Sequence, residues 1–139
     1  MSDPSPGIFS VTAHERIVFG TAAAVAVVTE VERVGAHRVF VTSTRSLVQK
    51  ELGPLQRIER ALGSRYAGTY ASIKSHSPRE DVVAGATQAR AAKADLLVAV
   101  GGGSVIDATK AMQLCLWAGL DSPEDMEPFC SGFGRTKAP

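Results

Sequence analysis

The residues best suited to chemistry lie in a glycine-rich stretch that separates two apolar segments. Gly101, Gly102 and Gly103 follow the apolar run 96–100, and from Ser104 onward apolar residues recur with helical spacing. A strand that turns through glycines into a helix presents first-turn N–H groups without intrahelical partners, at the positive end of the helix dipole. Glycine also lets the backbone approach an anion closely. The stretch therefore predicts a phosphate-binding turn. The alternative is a tight strand-to-helix turn without a ligand.

The motif differs from the commonest nucleotide-binding patterns. Its glycines are not spaced as G-x-G-x-x-G, and no Gly-Lys-Ser/Thr follows, which argues against a P-loop. With Asp107 and Lys110 it reads Gly-Gly-Gly-Ser-x-x-Asp-x-x-Lys. This resembles the nucleotide-binding motif of the iron-containing (group III) alcohol dehydrogenases, a superfamily that includes maleylacetate reductases. The resemblance implies that NAD or NADP binds at the turn, with Asp107 near the nicotinamide and Lys110 supporting the turn. A surface ion pair on one helix face is the alternative for these two side chains.

A second polar turn bears on which dinucleotide binds. Ser43, Thr44 and Arg45 follow the predicted strand 38–42. In dinucleotide-binding folds an acidic residue after the second strand commonly holds the ribose 2′-hydroxyl. No carboxylate occurs in residues 42–46, whereas NAD-selective members of the resembled family often carry an aspartate near Ser43. We therefore expect NADP preference or dual use. Alternatively, Arg45 is a solvent-exposed residue at a helix start.

Alternating strands and helices must position these two turns. Strands are predicted at residues 16–19, 38–42, 66–70 and 96–100. Helices are predicted at residues 21–34, 47–52, 54–62, 78–92 and 104–118. This order is typical of an α/β fold with a doubly wound parallel sheet, here Rossmann-like, with helices on both faces. The run 96–100 is expected to be buried on both faces. Ligands of such sheets bind at the carboxyl ends of the strands, where both turns lie.

Composition and length narrow the class of protein. The chain has 139 residues, of which 45% are hydrophobic and 21% charged, as in a soluble domain. Its net charge is +1 and its basic residues are scattered along the sequence, which argues against nucleic-acid binding. The apolar run 22–28 is too short to cross a membrane, and no signal peptide is evident. We expect a cytoplasmic protein with an N-terminal segment (1–15), an NAD(P)-binding domain (16–119) and a loop (120–139).

The reaction chemistry comes from the resemblance alone. It implies hydride transfer between the nicotinamide and a small alcohol or carbonyl substrate, with Fe²⁺ or Zn²⁺ polarising the oxygen. In the family an aspartate and three histidines beyond the glycine motif hold the metal, mostly in a helical second domain. Here no histidine follows His76, and His14, His37 and His76 share no ligand spacing. We therefore expect no catalytic or metal-binding residues in this chain. By the same resemblance, the chain corresponds to the N-terminal part of the family architecture. The resemblance also leads us to expect a homodimer.

Three functions remain open at this point. The first is the cofactor-binding part of an NAD(P)-dependent alcohol dehydrogenase or reductase. Residues 16–20 resemble the opening strand of maleylacetate reductases, but many of those lack an aspartate at Asp107, so the broader label is preferred and maleylacetate reduction is kept as an alternative. The second is a non-catalytic nucleotide-binding module. The third is a dehydroquinate-synthase-like lyase, which Asp107 makes less favoured than the first.

Overall fold

The chain forms a three-stranded parallel sheet with a separate two-stranded hairpin. The computed structural model describes residues 7–11 and 14–129. The strands are β1 (Gly7–Val11), β2 (His14–Phe19), β3 (Val39–Thr42), β4 (Tyr66–Tyr70) and β5 (Leu96–Ala99). The helices are α1 (Ala23–Val34), α2 (Arg45–Val48), α3 (Pro54–Leu62), α4 (Arg79–Ala91) and α5 (Gly103–Ala118). Two short 3₁₀ segments span Gly63–Arg65 and Glu124–Phe129.

The order of the parallel sheet is β4-β3-β5, with β3 in the centre. Val41 of β3 pairs with Thr69 on one side and with Val98 on the other. Helices separate these strands along the chain, as parallel pairing requires. The predicted α/β fold with a parallel sheet is therefore confirmed.

Helices cover both faces of the sheet because side chains alternate along β3. Val39 and Val41 pack into a buried cluster with residues of α1 and α3. Phe40, between them, packs into a second cluster with residues of α4 and α5. The two clusters are the two halves of a doubly wound core, and each holds a pair of helices against the sheet.

The first predicted strand does not belong to this sheet. Strand β2, which contains residues 16–19, pairs antiparallel with β1, so that Ile8 lies opposite Val18. The expectation of a fourth parallel strand was wrong. A short connection joins β1 to β2, and strands joined in this way pair antiparallel. The predicted N-terminal segment 1–15 thus contains a strand.

Strand β5 lies at the edge of the sheet and is only half-buried, which corrects the expectation of a strand buried on both faces. Leu97 packs toward the α4–α5 cluster, and Leu96 and Val98 pack toward the α1–α3 cluster. Both faces therefore have apolar neighbours. The outer edge, however, pairs with no strand among the described residues, and this leaves the strand partly exposed. Within residues 7–11 and 14–129, no helix combines the length and apolar character that a bilayer crossing needs.

Candidate functional site

A pocket of about 560 Å³ lies at the carboxyl ends of the parallel strands, where three loops meet. These are the turn after β3, the loop after β4 and the glycine turn after β5. Its lining comprises Thr44, Arg45, Ser46, Ser72, Ile73, Lys74, Ser75, Gly102, Gly103, Ser104 and Val105. Both predicted polar turns therefore contribute to one pocket. Arg45 and Lys74 are the charged members of this lining, and both are cationic, which suits an anionic ligand.

The three glycines of the turn have two different structural roles. Gly101 has φ +155°, and a Cβ there would lie 2.7 Å from Cγ2 of Val105, so the fold itself requires glycine. A Cβ on Gly102 or Gly103 would meet no atom within 4 Å. Neither residue has a positive φ. Contacts within residues 7–11 and 14–129 therefore do not explain the missing side chains at Gly102 and Gly103, which leave free space in the pocket.

The amino terminus of α5 borders this free space. Gly102 is the N-cap residue, and its carbonyl accepts the N–H groups of Val105 and Ile106 at 3.0 and 3.1 Å. No side chain in the described part of the chain caps this end of the helix. Because α5 has 16 residues, its dipole is fully developed at this end. Uncapped N–H groups beside the free space at Gly102 and Gly103, which we call the glycine cradle, can hold an anion.

Ser43 supports the pocket from below instead of lining it. The residue is fully buried. Its hydroxyl donates to the carbonyl of Val100 at 2.8 Å, and its N–H donates to the carbonyl of Tyr70 at 2.9 Å. Ser43 thereby joins the carboxyl ends of all three parallel strands. Of the predicted second-turn residues, Thr44 and Arg45 reach the pocket.

A buried pair of hydroxyl groups fixes α5 against β3. The hydroxyl oxygens of Thr42 and Thr109 lie 2.5 Å apart, and the Thr109 hydroxyl donates to the carbonyl of Val105 at 2.7 Å. The Thr42 hydroxyl also lies 3.5 Å from the carbonyl oxygen of Val98, so either threonine can supply the hydrogen between them. These bonds attach the second turn of α5, through Thr109, to the last residue of β3. Thr109 was not predicted as a site residue, since a threonine inside a helix gives no local sign of a buried partner.

Asp107 and Lys110 lie outside the pocket lining. Both are exposed on α5, and no ion pair joins them within the described part of the chain. Lys110 lines a different groove, which runs along the edge of the sheet beside Leu97 and Trp117. The alternative of a surface ion pair is thus not observed. Their roles toward a cofactor remain predictions.

The loop between β4 and α4 was missed by the sequence analysis. It contributes Ser72, Ile73, Lys74 and Ser75 to the pocket. The rule that placed the other two turns at the carboxyl edge applies equally to the predicted strand 66–70. At the end of that strand, burial, followed by the charge of Asp81, raises the pKa of the Tyr70 hydroxyl.

No metal centre forms among the described residues. They contain no group of three or more His, Cys, Asp or Glu side chains that could hold a metal ion. His14, His37 and His76 are all exposed and lie on different elements. The side chains within residues 7–11 and 14–129 therefore do not fit a metal site.

Known proteins with similar sequences share this part of the chain. The sequence model of the family described as iron-containing alcohol dehydrogenase matches residues 14–138. Maleylacetate reductase 2 of Cupriavidus pinatubonensis is 42% identical over 102 residues, which are 71% of this chain and 26% of that protein. A maleylacetate reductase of a Rhizobium species is 37% identical over 74% of this chain and 28% of its own length. The chain thus spans about a quarter of the curated relatives it matches.

Solved structures show the same fold. A putative alcohol dehydrogenase from Ralstonia eutropha superposes with a TM-score of 0.67 at 37% identity, over 79% of this chain and 30% of that one. A maleylacetate reductase from a Rhizobium species superposes with a TM-score of 0.65 at 32% identity, over 84% of this chain and 31% of that one.

Proposed function

Because the chain belongs to the iron-containing alcohol dehydrogenase family, we propose that it forms the NAD(P)-binding part of an oxidoreductase. The cofactor's diphosphate lies against the glycine turn and the amino terminus of α5. The free space at Gly102 and Gly103 is the observation that carries this proposal, since no contact among the described residues accounts for it. The cationic side chains of Arg45 and Lys74, which also line the pocket, favour the same ligand charge.

The turn after β3 favours NADP or dual use. Arg45 is exposed and lines the pocket, and residues 42–46 include no acidic side chain that would oppose a 2′-phosphate. The hydroxyls of Thr44 and Ser46 lie 2.9 Å apart beside Arg45. A guanidinium next to hydroxyl groups suits a phosphate. In this proposal Arg45 contacts the 2′-phosphate of NADP.

The proposed reaction of the whole protein is interconversion of an alcohol and a carbonyl compound by hydride transfer. The bound dinucleotide supplies or accepts the hydride. The described residues of this chain bind and orient the dinucleotide. At the level of substrate, the relatives named maleylacetate reductase favour reduction of maleylacetate. A nucleotide-binding module without catalysis is the remaining alternative for the chain alone.

Titration of the chain with NADPH and with NADH, followed by the fluorescence of the reduced nicotinamide, tests the proposal. We expect saturable binding of at least one dinucleotide, with NADPH bound as tightly as NADH or more tightly. An Arg45→Ala variant should weaken NADPH binding clearly more than NADH binding, because only NADPH carries the 2′-phosphate. Failure to bind either dinucleotide would refute the assignment. Clear NADH selectivity would refute only the role given to Arg45.

A further inference from the structure

The loop between β4 and α4 is fastened directly to the first turn of α5. The hydroxyl of Ser77 donates to the carbonyl of Ser104 at 2.6 Å. The N–H of His76 donates to the hydroxyl oxygen of Ser104 at 3.2 Å. Two consecutive loop residues therefore contact the serine of the glycine motif, one at its backbone and one at its side chain. We call these contacts the serine clasp.

The loop holds an unfavourable backbone conformation to make these contacts. His76 has φ +64° and Ser77 has φ +49°, values that side chains other than glycine rarely adopt. At the other end of the loop, the buried Asp81 accepts the N–H of Lys74 at 3.0 Å. Ser77 in turn donates its N–H to the carbonyl of Lys74 at 3.2 Å. Contacts at both ends thus maintain a conformation that the loop would not adopt alone.

The clasp determines how the Ser104 hydroxyl can bond. A serine hydroxyl has one hydrogen to donate and accepts through its lone pairs. Because the oxygen accepts the His76 N–H, the hydroxyl hydrogen remains available for a partner in the pocket that Ser104 lines. An anion is an acceptor only, so this is the polarity that a phosphate needs.

We propose that Ser77 is a positioning residue. Its bond to the Ser104 carbonyl keeps the His76 N–H against the Ser104 hydroxyl oxygen, so that this hydroxyl donates its hydrogen to the bound dinucleotide. This inference rests on the proposed function, since it requires a phosphate in the pocket. Ser77 acts through Ser104 and does not line the pocket itself among the described residues. The loop after β4 thereby contributes to affinity through the helix that it grips.

Dinucleotide affinity in a set of serine variants tests the proposal. The probe is whichever of NADPH and NADH the unsubstituted chain binds more tightly. Ser77→Ala should weaken binding about fivefold, the effect of one lost hydrogen bond. Ser77→Gly removes the same hydroxyl but relieves the positive φ, so it should lose affinity equally while keeping thermal stability. Ser64→Ala, at an exposed serine before β4, is the matched control and should bind normally.

A double-substitution cycle separates positioning from general structural support. In the Ser104→Ala background, Ser77→Ala should cost no further affinity, because the hydroxyl it positions is absent. Additive losses would overturn the proposal, as would recovery of affinity in Ser77→Gly. Unchanged affinity in Ser77→Ala would overturn it while leaving the proposed function intact. Absence of binding by the unsubstituted chain would overturn both.

Discussion

Replacing Gly102 with valine should abolish dinucleotide binding while leaving the fold intact. A Cβ at this position meets no described atom within 4 Å, and the φ of −89° is accessible to any residue. The loss of a favourable N-cap residue costs about 1 kcal/mol. A valine also restricts the unfolded chain, which offsets part of that cost. We therefore expect little change in thermal stability.

The expected loss of affinity is much larger. The branched side chain fills the space in which the diphosphate would approach the amino terminus of α5. Hydrogen bonds to a charged group contribute about 1.5–3 kcal/mol each, so losing two of them costs about 3 kcal/mol or more. That corresponds to a roughly 100-fold or greater increase in Kd. Fluorescence titration with NADPH and NADH measures this change directly.

Replacing Gly101 with alanine should, in contrast to Gly102→Val, lower the thermal stability of the fold. The new Cβ would lie 2.7 Å from Val105, at a backbone φ of +155°. Such strain costs about 2 kcal/mol, which lowers the midpoint of thermal unfolding by about 8 °C for a chain of this size. Circular dichroism measures the midpoint, and Ala61→Val, an exposed addition on α3, is the control. A folded Gly102→Val variant that binds normally, or an unperturbed Gly101→Ala variant, would contradict this division of roles.

Two further predictions concern stability and association. Partial burial raises the pKa of Asp95, but the N–H groups of His37 and Arg38, each 2.8 Å away, outweigh it and hold the pKa below its usual value. Asp95→Asn should therefore lower the free energy of unfolding by about 1 kcal/mol at pH 7. This difference from the unsubstituted chain should vanish as the pH falls through the lowered pKa. Equal differences in urea unfolding at pH 7 and at pH 3 would contradict the prediction. The half-buried edge strand β5 and the exposed Trp117 beside it should make the chain self-associate, so Trp117→Lys should shift sedimentation toward monomer. A concentrated unsubstituted chain that sediments as monomer would refute this.

The sequence predicted those features that depend on neighbouring residues. The glycine turn, the start of α5 and the helices on both faces follow from spacing and turn residues along the chain. The pairing of β1 with β2 was missed because antiparallel pairing depends on a partner that a short apolar segment does not specify.

Side-chain roles were harder to predict than elements. Ser43 was expected at the pocket surface because it is polar and follows a strand, yet its hydroxyl is buried against the carbonyl of Val100. That bond depends on the register between β3 and β5, which no local pattern encodes. The positive φ values of His76 and Ser77 were also unpredictable, since tertiary contacts and not glycine maintain them.

The glycine turn is attached to β5, one of the two edge strands of the three-stranded sheet. Amide hydrogens on the outer side of β5 have no strand partner among the described residues, so they should exchange with solvent faster than those of the central β3. Opening of β5 would displace the glycine cradle. By thermodynamic linkage, a segment that covers the outer side of β5 raises the affinity of the glycine cradle for its ligand. A bound ligand in turn slows amide hydrogen exchange along β5.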